Sequence, residues 1–153
     1  MPVKPRDIVG LSSEINPHLR KIKTLIGCGR FLNLQEILRP ADEQQFEVLA
    51  ANAVVPEMLY AALDEAFDCN SPLIIEVAES QVGYALPGWD YKDKLTRFMD
   101  LTVRAVATRV AKHNRLMPIC MHIDHLQKDP ALAYAAAEAG FVPLTVFSST
   151  ICP

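Results

Sequence analysis

Short apolar runs alternate with longer amphipathic segments along most of this chain. The apolar runs suit buried strands and end in polar side chains, over residues 46–52, 73–78, 117–125 and 141–147. The segments between them repeat apolar residues at helical spacing, over residues 56–68, 91–114 and 129–140. The order strand–helix–strand–helix–strand–helix–strand predicts right-handed crossovers and a parallel sheet.

Residues 1–45 precede the first predicted strand, so we divide the chain into an N-terminal extension with helices and a domain over residues 46–153. Within the extension, Asn33 is expected to cap a helix that Pro40 ends. Residues 27–29, Gly-Cys-Gly, interrupt the chain just before it. This tripeptide resembles a phosphate-binding loop only superficially, because no strand precedes it and no Gly-Lys-Ser/Thr follows.

Every predicted strand ends in polar residues or is followed by them. They are Asn52 after the first strand, Glu79 to Gln81 after the second, His122 to His125 after the third and Ser148 to Thr150 after the last. Because the carboxyl ends of parallel strands meet at one edge of a sheet, these side chains are expected to share one rim. That shared rim predicts a single active-site face.

The third of these polar ends carries the clearest chemistry. Strand alternation places His122 and Asp124 on one face, and we expect a turn after Asp124 that brings His125 to the same rim. Neutral imidazole is a common zinc ligand, and a nearby carboxylate serves as ligand, orienting group or general base. The alternative is a His–Asp pair that only closes the strand end by hydrogen bonding.

Composition narrows the class of protein. The chain has 153 residues, of which 50% are hydrophobic and 22% charged, which is typical of one globular domain. A net charge of −3 gives no basic surface for nucleic acid. The first residues contain no apolar signal segment, and no run approaches the length of a membrane span. The four cysteines are scattered without a Cys-X-X-Cys motif, so we expect reduced thiols in a cytoplasmic protein.

The number of predicted strands limits the architecture. Four strands do not close an eight-stranded barrel, which takes about 250 residues. The chain is therefore either an open sheet or part of a barrel. The given sequence ends at Cys152 and Pro153, shortly after the last predicted strand, and no covering helix comes after that strand. We therefore expect an α/β fold that is a partial (half) TIM-type (βα) barrel, whose open strand edges favour association.

Four motifs occur in an order and spacing typical of one enzyme family. They are Phe46–Asn52, a strand that ends in Asn; Ser71–Val77, close to Ser-Pro-Val-Ile-[Ile/Val]-Gln; His122–His125, which is His-X-Asp-His; and Glu138–Phe141 followed by Phe147–Ser149. In these motifs the chain resembles the class II, zinc-dependent fructose-bisphosphate and tagatose-bisphosphate aldolases. The resemblance covers residues 46–153 and corresponds to the N-terminal half of that family's barrel.

The resemblance implies aldol cleavage or condensation of a ketose bisphosphate in carbohydrate metabolism, by a lyase that is competent only in a complete barrel. It implies that His125 is a zinc ligand and that Asp124 exchanges a proton with the substrate hydroxyl. It also implies that Asn52, His122 and Ser80 bind substrate or support the site. Aldol cleavage needs both a proton shuttle and a Lewis acid, as this ligand and this carboxylate would provide. The implied partners are a sugar phosphate and a second copy or partner subunit.

Two departures from the family pattern leave alternatives open. Ala78 stands where the family has a serine, and the family's further zinc ligands and phosphate-binding loops lie in the second half of its barrel. A catalytic zinc normally has three protein ligands, and the chain offers one by resemblance. A non-catalytic aldolase-like subunit, or a degenerate fragment that binds a partner, is therefore the main alternative. A different metal-dependent hydrolase is another, with Glu79 as its candidate ligand.

Overall fold

Three parallel strands form the sheet of the computed structural model, which describes residues 31–126, 129–139 and 141. The strands are β1 (Leu49–Asn52), β2 (Leu73–Ala78) and β3 (Ile119–Asp124), and β2 lies between the other two. Both pairings are parallel, as the alternation of strands and helices predicted. The fourth predicted strand, over residues 141–147, falls outside the described residues apart from Phe141.

Five helices lie in the described part of the chain. They are α1 (Leu34–Gln44), α2 (Pro56–Cys69), α3 (Glu79–Tyr84), α4 (Tyr91–His113) and α5 (Pro130–Ala139). Helices α2, α4 and α5 match the three predicted amphipathic segments to within one or two residues. Among the described helices, none combines the length and the apolar character that a membrane span requires.

The core forms because β2 and β3 bury apolar side chains in register. Three pairs of neighbours lie side by side across the two strands: Leu73 with Ile119, Ile75 with Met121, and Val77 with Ile123. All six side chains are buried, and apolar residues of α2, α4 and α5 belong to the same cluster. Continuous burial of this kind is typical of the central strands of a parallel sheet with helices packed on it.

Edge strand β1 differs from its neighbours. It contains four residues, of which three are exposed, and it starts at Leu49 rather than at the predicted Phe46. All four of its residues pair with β2, from Leu49 beside Leu73 to Asn52 beside Glu76.

Pro40 lies inside α1, so the prediction that it ends this helix is wrong. The helix begins with a reciprocal capping box, in which Asn33 Oδ1 accepts from the Glu36 N–H at 2.8 Å and Glu36 Oε2 accepts from the Asn33 N–H at 2.7 Å. Pro40 and Ile37 are both buried. Capping and burial together offset the roughly 3 kcal/mol that a proline inside a helix costs.

Arg109 is a basic residue of α4 that packs against a neighbouring helix and does not face solvent. Its guanidinium makes two parallel bonds to the Asp64 carboxylate, at 2.8 and 2.9 Å, and a third to the Tyr60 carbonyl at 3.1 Å. Only 11% of the Arg109 side chain is exposed. This contact joins α4 to α2, and the spacing of residues within α4 gives no sign of it.

The N-terminal extension contributes to the same core. The Leu32 N–H donates to the Ile119 carbonyl at 2.9 Å, next to a parallel bridge between Leu32 and Cys120. Leu32 and Ile37 are buried with the residues of the sheet. The division of the chain at residue 45 stays a prediction.

Candidate active site at the carboxyl ends of the strands

Asp124 and His125 lie together where β3 ends. Asp124 is the last residue of the strand, and His125 adopts a left-handed backbone conformation with φ of 55°, which turns the chain. His125 Nε2 lies 3.2 Å from Asp124 Oδ2, with 71% of the imidazole side chain and 26% of the carboxylate side chain exposed. The predicted turn is confirmed, and it places the imidazole of His125 beside the partly buried carboxylate of Asp124.

His122 lies two residues before Asp124 in β3, on the same face of the sheet, and it is buried. The residue is 3% exposed, and its Nδ1 atom has no hydrogen-bond partner among the described residues. An unpaired buried polar atom is unfavourable, and in native proteins it often marks a position that binds a ligand or water. The role predicted for His122 at the site stays a prediction.

A row of polar residues crosses the sheet at this level. Asn52 of β1, Glu76 of β2 and His122 of β3 are register partners, so the pleat directs all three to one face. Asp124 follows on that face two residues further along β3, opposite Ala78. The row lies near the carboxyl edge of the sheet, where parallel α/β proteins bind their substrates.

Glu76 experiences the charge of this cluster directly. Burial raises the pKa of its carboxyl group, and the Asp124 carboxylate raises it further, while His122 and His125 lower it. Two nearby carboxylates and two imidazoles therefore share one electrostatic environment. The Glu76 carboxyl group therefore holds its proton more tightly than an isolated carboxyl group does.

Sequence reasoning missed Glu76 as a site residue. It is the only charged residue in the apolar run Leu73–Ala78, and this was the signal available. Its connection with Asn52 and His122 depends on strand register, which the sequence does not display.

Residue 78, where the family has a serine, is an alanine, and Ser80 does not take its place on the strand. Ala78 ends β2, and its N–H donates to Gln81 Oε1 at 2.9 Å. This bond caps the start of α3, over residues where the sequence predicted a polar strand end. Ser80 is exposed on the first turn of that helix. A serine hydroxyl at residue 78 would lie on the face of Asp124, whereas Ser80 has left the strand.

The third described histidine, His113, does not join this rim. His113 ends α4, before β3 begins, and its ring packs on Phe67 with centroids 5.4 Å apart. Its Nε2 lies 3.8 Å from Asp68. His18 and the predicted polar end at residues 148–150 lie outside the described residues.

The described residues do not complete a zinc site. Within them, no three His, Cys, Asp or Glu side chains are placed to hold one metal ion. Asp124 and His125 supply two neighbouring donor groups, and the orphan Nδ1 of His122 supplies polarity beside them. Three protein ligands are usual for a catalytic zinc, so this part of the chain fits one side of such a site and not the whole of it.

The described geometry defines an α/β protein with an ionisable cluster at the carboxyl ends of parallel strands, the arrangement of (βα)-barrel enzymes. A model of the family "Fructose-bisphosphate aldolase class-II" matches residues 32–151, and the chain belongs to that family. No curated protein sequence matched the chain. The resemblance seen in the motifs is therefore confirmed, and the three parallel strands are consistent with part of a barrel.

Proposed function

We propose that this chain forms one wall of an active site for reversible aldol cleavage of a ketose bisphosphate of the fructose- or tagatose-1,6-bisphosphate type. The observation that supports this proposal most directly is the contact of His125 Nε2 with Asp124 Oδ2, at 3.2 Å, on the carboxyl edge of the sheet. The chain that carries this pair belongs to the aldolase family. The pair alone is compatible with a structural hydrogen bond. The polar row beside it, with an orphaned buried nitrogen, favours a site that binds a molecule.

In this proposal Asp124 is the general base of cleavage. Its carboxylate takes the proton of a substrate hydroxyl as the neighbouring carbon–carbon bond breaks, and it returns that proton in condensation. Partial burial suits this role, because one edge of the carboxylate remains accessible to a substrate while the strand end holds the other in place. The buried Nδ1 of His122 and the amide of Asn52 are placed on the same face to bind hydroxyls of the sugar.

We also propose that His125 is a zinc ligand, with the remaining ligands supplied by parts of the barrel outside the described residues. Zinc would act as the Lewis acid that stabilises negative charge on the ketose half. The left-handed turn at His125 leaves its ring largely exposed, and a ligand that completes its site with distant groups must be accessible.

The proposal is tested by zinc content and by aldol cleavage in the complete barrel. We expect about one zinc per site, lost in His125→Ala and retained in His113→Ala, whose ring lies away from the rim. Asp124→Ala should keep zinc and lose about 100-fold or more of the cleavage rate, as removal of a general base does. Asp42→Ala, an exposed carboxylate on α1, is the control. Wild-type turnover in Asp124→Ala would refute the role of this carboxylate.

A non-catalytic aldolase-like subunit is the second candidate. It is favoured by Ala78, which places a methyl group opposite Asp124 where the family has a serine, and by the incomplete ligand set of the described residues. The same experiment separates the two, because a non-catalytic subunit binds no zinc at His125 and cleaves no ketose bisphosphate in any barrel it completes. Its function would instead appear as stable association with a catalytic partner.

A further inference from the structure

Glu79 makes a contact that links two loops of the candidate active site. It is the first residue after β2, at the start of α3. Its Oε1 atom accepts a hydrogen bond from the backbone N–H of Asp129 at 2.9 Å, across 50 positions of sequence. The contact is partly buried, and a bond between a carboxylate and a backbone amide is stronger than a bond between neutral groups. The carboxyl end of β2 is thereby tied to the connection that leaves β3.

Asp129 is a junction of several contacts. Its Oδ1 accepts from the Ala131 N–H at 2.9 Å and so caps the start of α5. The Tyr91 hydroxyl, at the start of α4, interacts with the same carboxylate, which raises the pKa of Tyr91. The starts of α3, α4 and α5 therefore meet at one residue. Helix α3 starts directly after β2, α4 comes after α3 along the chain, and α5 comes after β3.

The junction restricts the position of His125. Asp129 is four residues after His125, so the two α-carbons are at most about 14 Å apart along an extended chain. On the strand side, His125 is fixed by the end of β3, and the next side chain, Leu126, is buried. Asp129 is the next described residue after Leu126, and the bond to Glu79 fixes its backbone N–H. The imidazole of His125 has few contacts of its own, since 71% of the side chain is exposed.

We propose that Glu79 is a positioning residue, which holds the backbone of Asp129, four residues after His125, and thereby orients His125 beside Asp124. The importance of His125 rests on the proposed function, whereas the tether itself does not. In the hydrolase alternative, Glu79 is a metal ligand. The observed bond instead directs one carboxylate oxygen to a backbone amide, in the part of the chain that the structure describes.

The test compares Glu79→Ala, which removes the acceptor, with Glu79→Gln, which keeps an uncharged acceptor. Amide hydrogen exchange at Asp129 should rise about tenfold in the alanine variant and about threefold in the glutamine variant, since bonds to charged groups are the stronger ones. Isotope-labelled histidine side chains provide the second measurement by NMR. The His125 ring signal, identified by its loss in His125→Ala, should shift in Glu79→Ala and return towards its wild-type position in Glu79→Gln.

Glu138→Gln is the matched control. It removes an exposed ion pair of 2.9 Å with Lys92 between α4 and α5, and it should change neither measurement. An unchanged Asp129 amide and an unchanged His125 signal in Glu79→Ala would overturn the proposal. If Glu79→Ala does not fold, wild-type exchange in Glu79→Gln overturns it instead. Both measurements are made without metal or substrate, so absence of zinc or of aldol cleavage would refute the proposed function and leave this result standing.

Discussion

Replacing His122 with leucine should make the protein more stable and less active. His122 is 3% exposed, and its Nδ1 has no hydrogen-bond partner among the described residues. Leaving a buried polar atom unsatisfied costs about 1–3 kcal/mol, and an apolar side chain of similar size removes that penalty. Part of the gain is lost to imperfect packing of the new side chain, so we expect a net stabilisation of about 1 kcal/mol.

Urea unfolding and thermal unfolding measure this change. For a domain of this length, a gain of about 1 kcal/mol raises Tm by about 2–4 °C. In the complete barrel, the same variant should lose cleavage of the ketose bisphosphate, because the sugar hydroxyl that would bind Nδ1 loses its partner. Gain of stability with loss of function is expected where a residue is kept for activity rather than for packing.

Thr102→Val is the matched control, because Thr102 is a buried polar residue whose hydrogen bond is satisfied. Its hydroxyl donates to the Phe98 carbonyl at 2.9 Å inside α4. Removing it should be close to neutral or destabilising by less than about 1 kcal/mol. A destabilisation of more than about 1 kcal/mol in His122→Leu would refute the reasoning, since it would show that the imidazole stabilises the fold.

The central elements could be predicted from the sequence because their local pattern and their burial agree. Residues 73–78 form a strand with the predicted bounds, and α2 begins at Pro56, where a proline suits the first turn. Pro40 was misjudged because local propensity disfavours proline inside a helix, whereas capping and burial in the folded protein outweigh it. Helix α3 was missed because its start depends on a side-chain contact from Gln81.

The candidate site was predictable in one strand and not across strands. Alternation along β3 and a turn after Asp124 sufficed to place Asp124 beside His125. Glu76 was missed because its proximity to His122 follows from the register of β2 and β3. The contact between Glu79 and Asp129 depends on how two loops approach each other, and single-sequence periodicity contains no information on that distance.

Two further predictions concern charges in the fold. Arg109→Lys should lower stability by about 1 kcal/mol, because lysine does not reproduce the paired bonds to Asp64 and the bond to the Tyr60 carbonyl; thermal unfolding equal to wild type would contradict this. Glu76→Gln should change how stability depends on pH. Burial and the Asp124 carboxylate raise the pKa of Glu76 above its ordinary value of 4.5, so the folded protein holds this proton more tightly than the unfolded chain. The wild type therefore loses stability as pH rises through the raised pKa, and the glutamine variant lacks this loss. Urea unfolding below pH 4.5 and at neutral pH measures the free energy of unfolding of both proteins. The variant should become more stable relative to the wild type as pH rises. A stability difference that is the same at both pH values would show that the surroundings do not raise the pKa of Glu76.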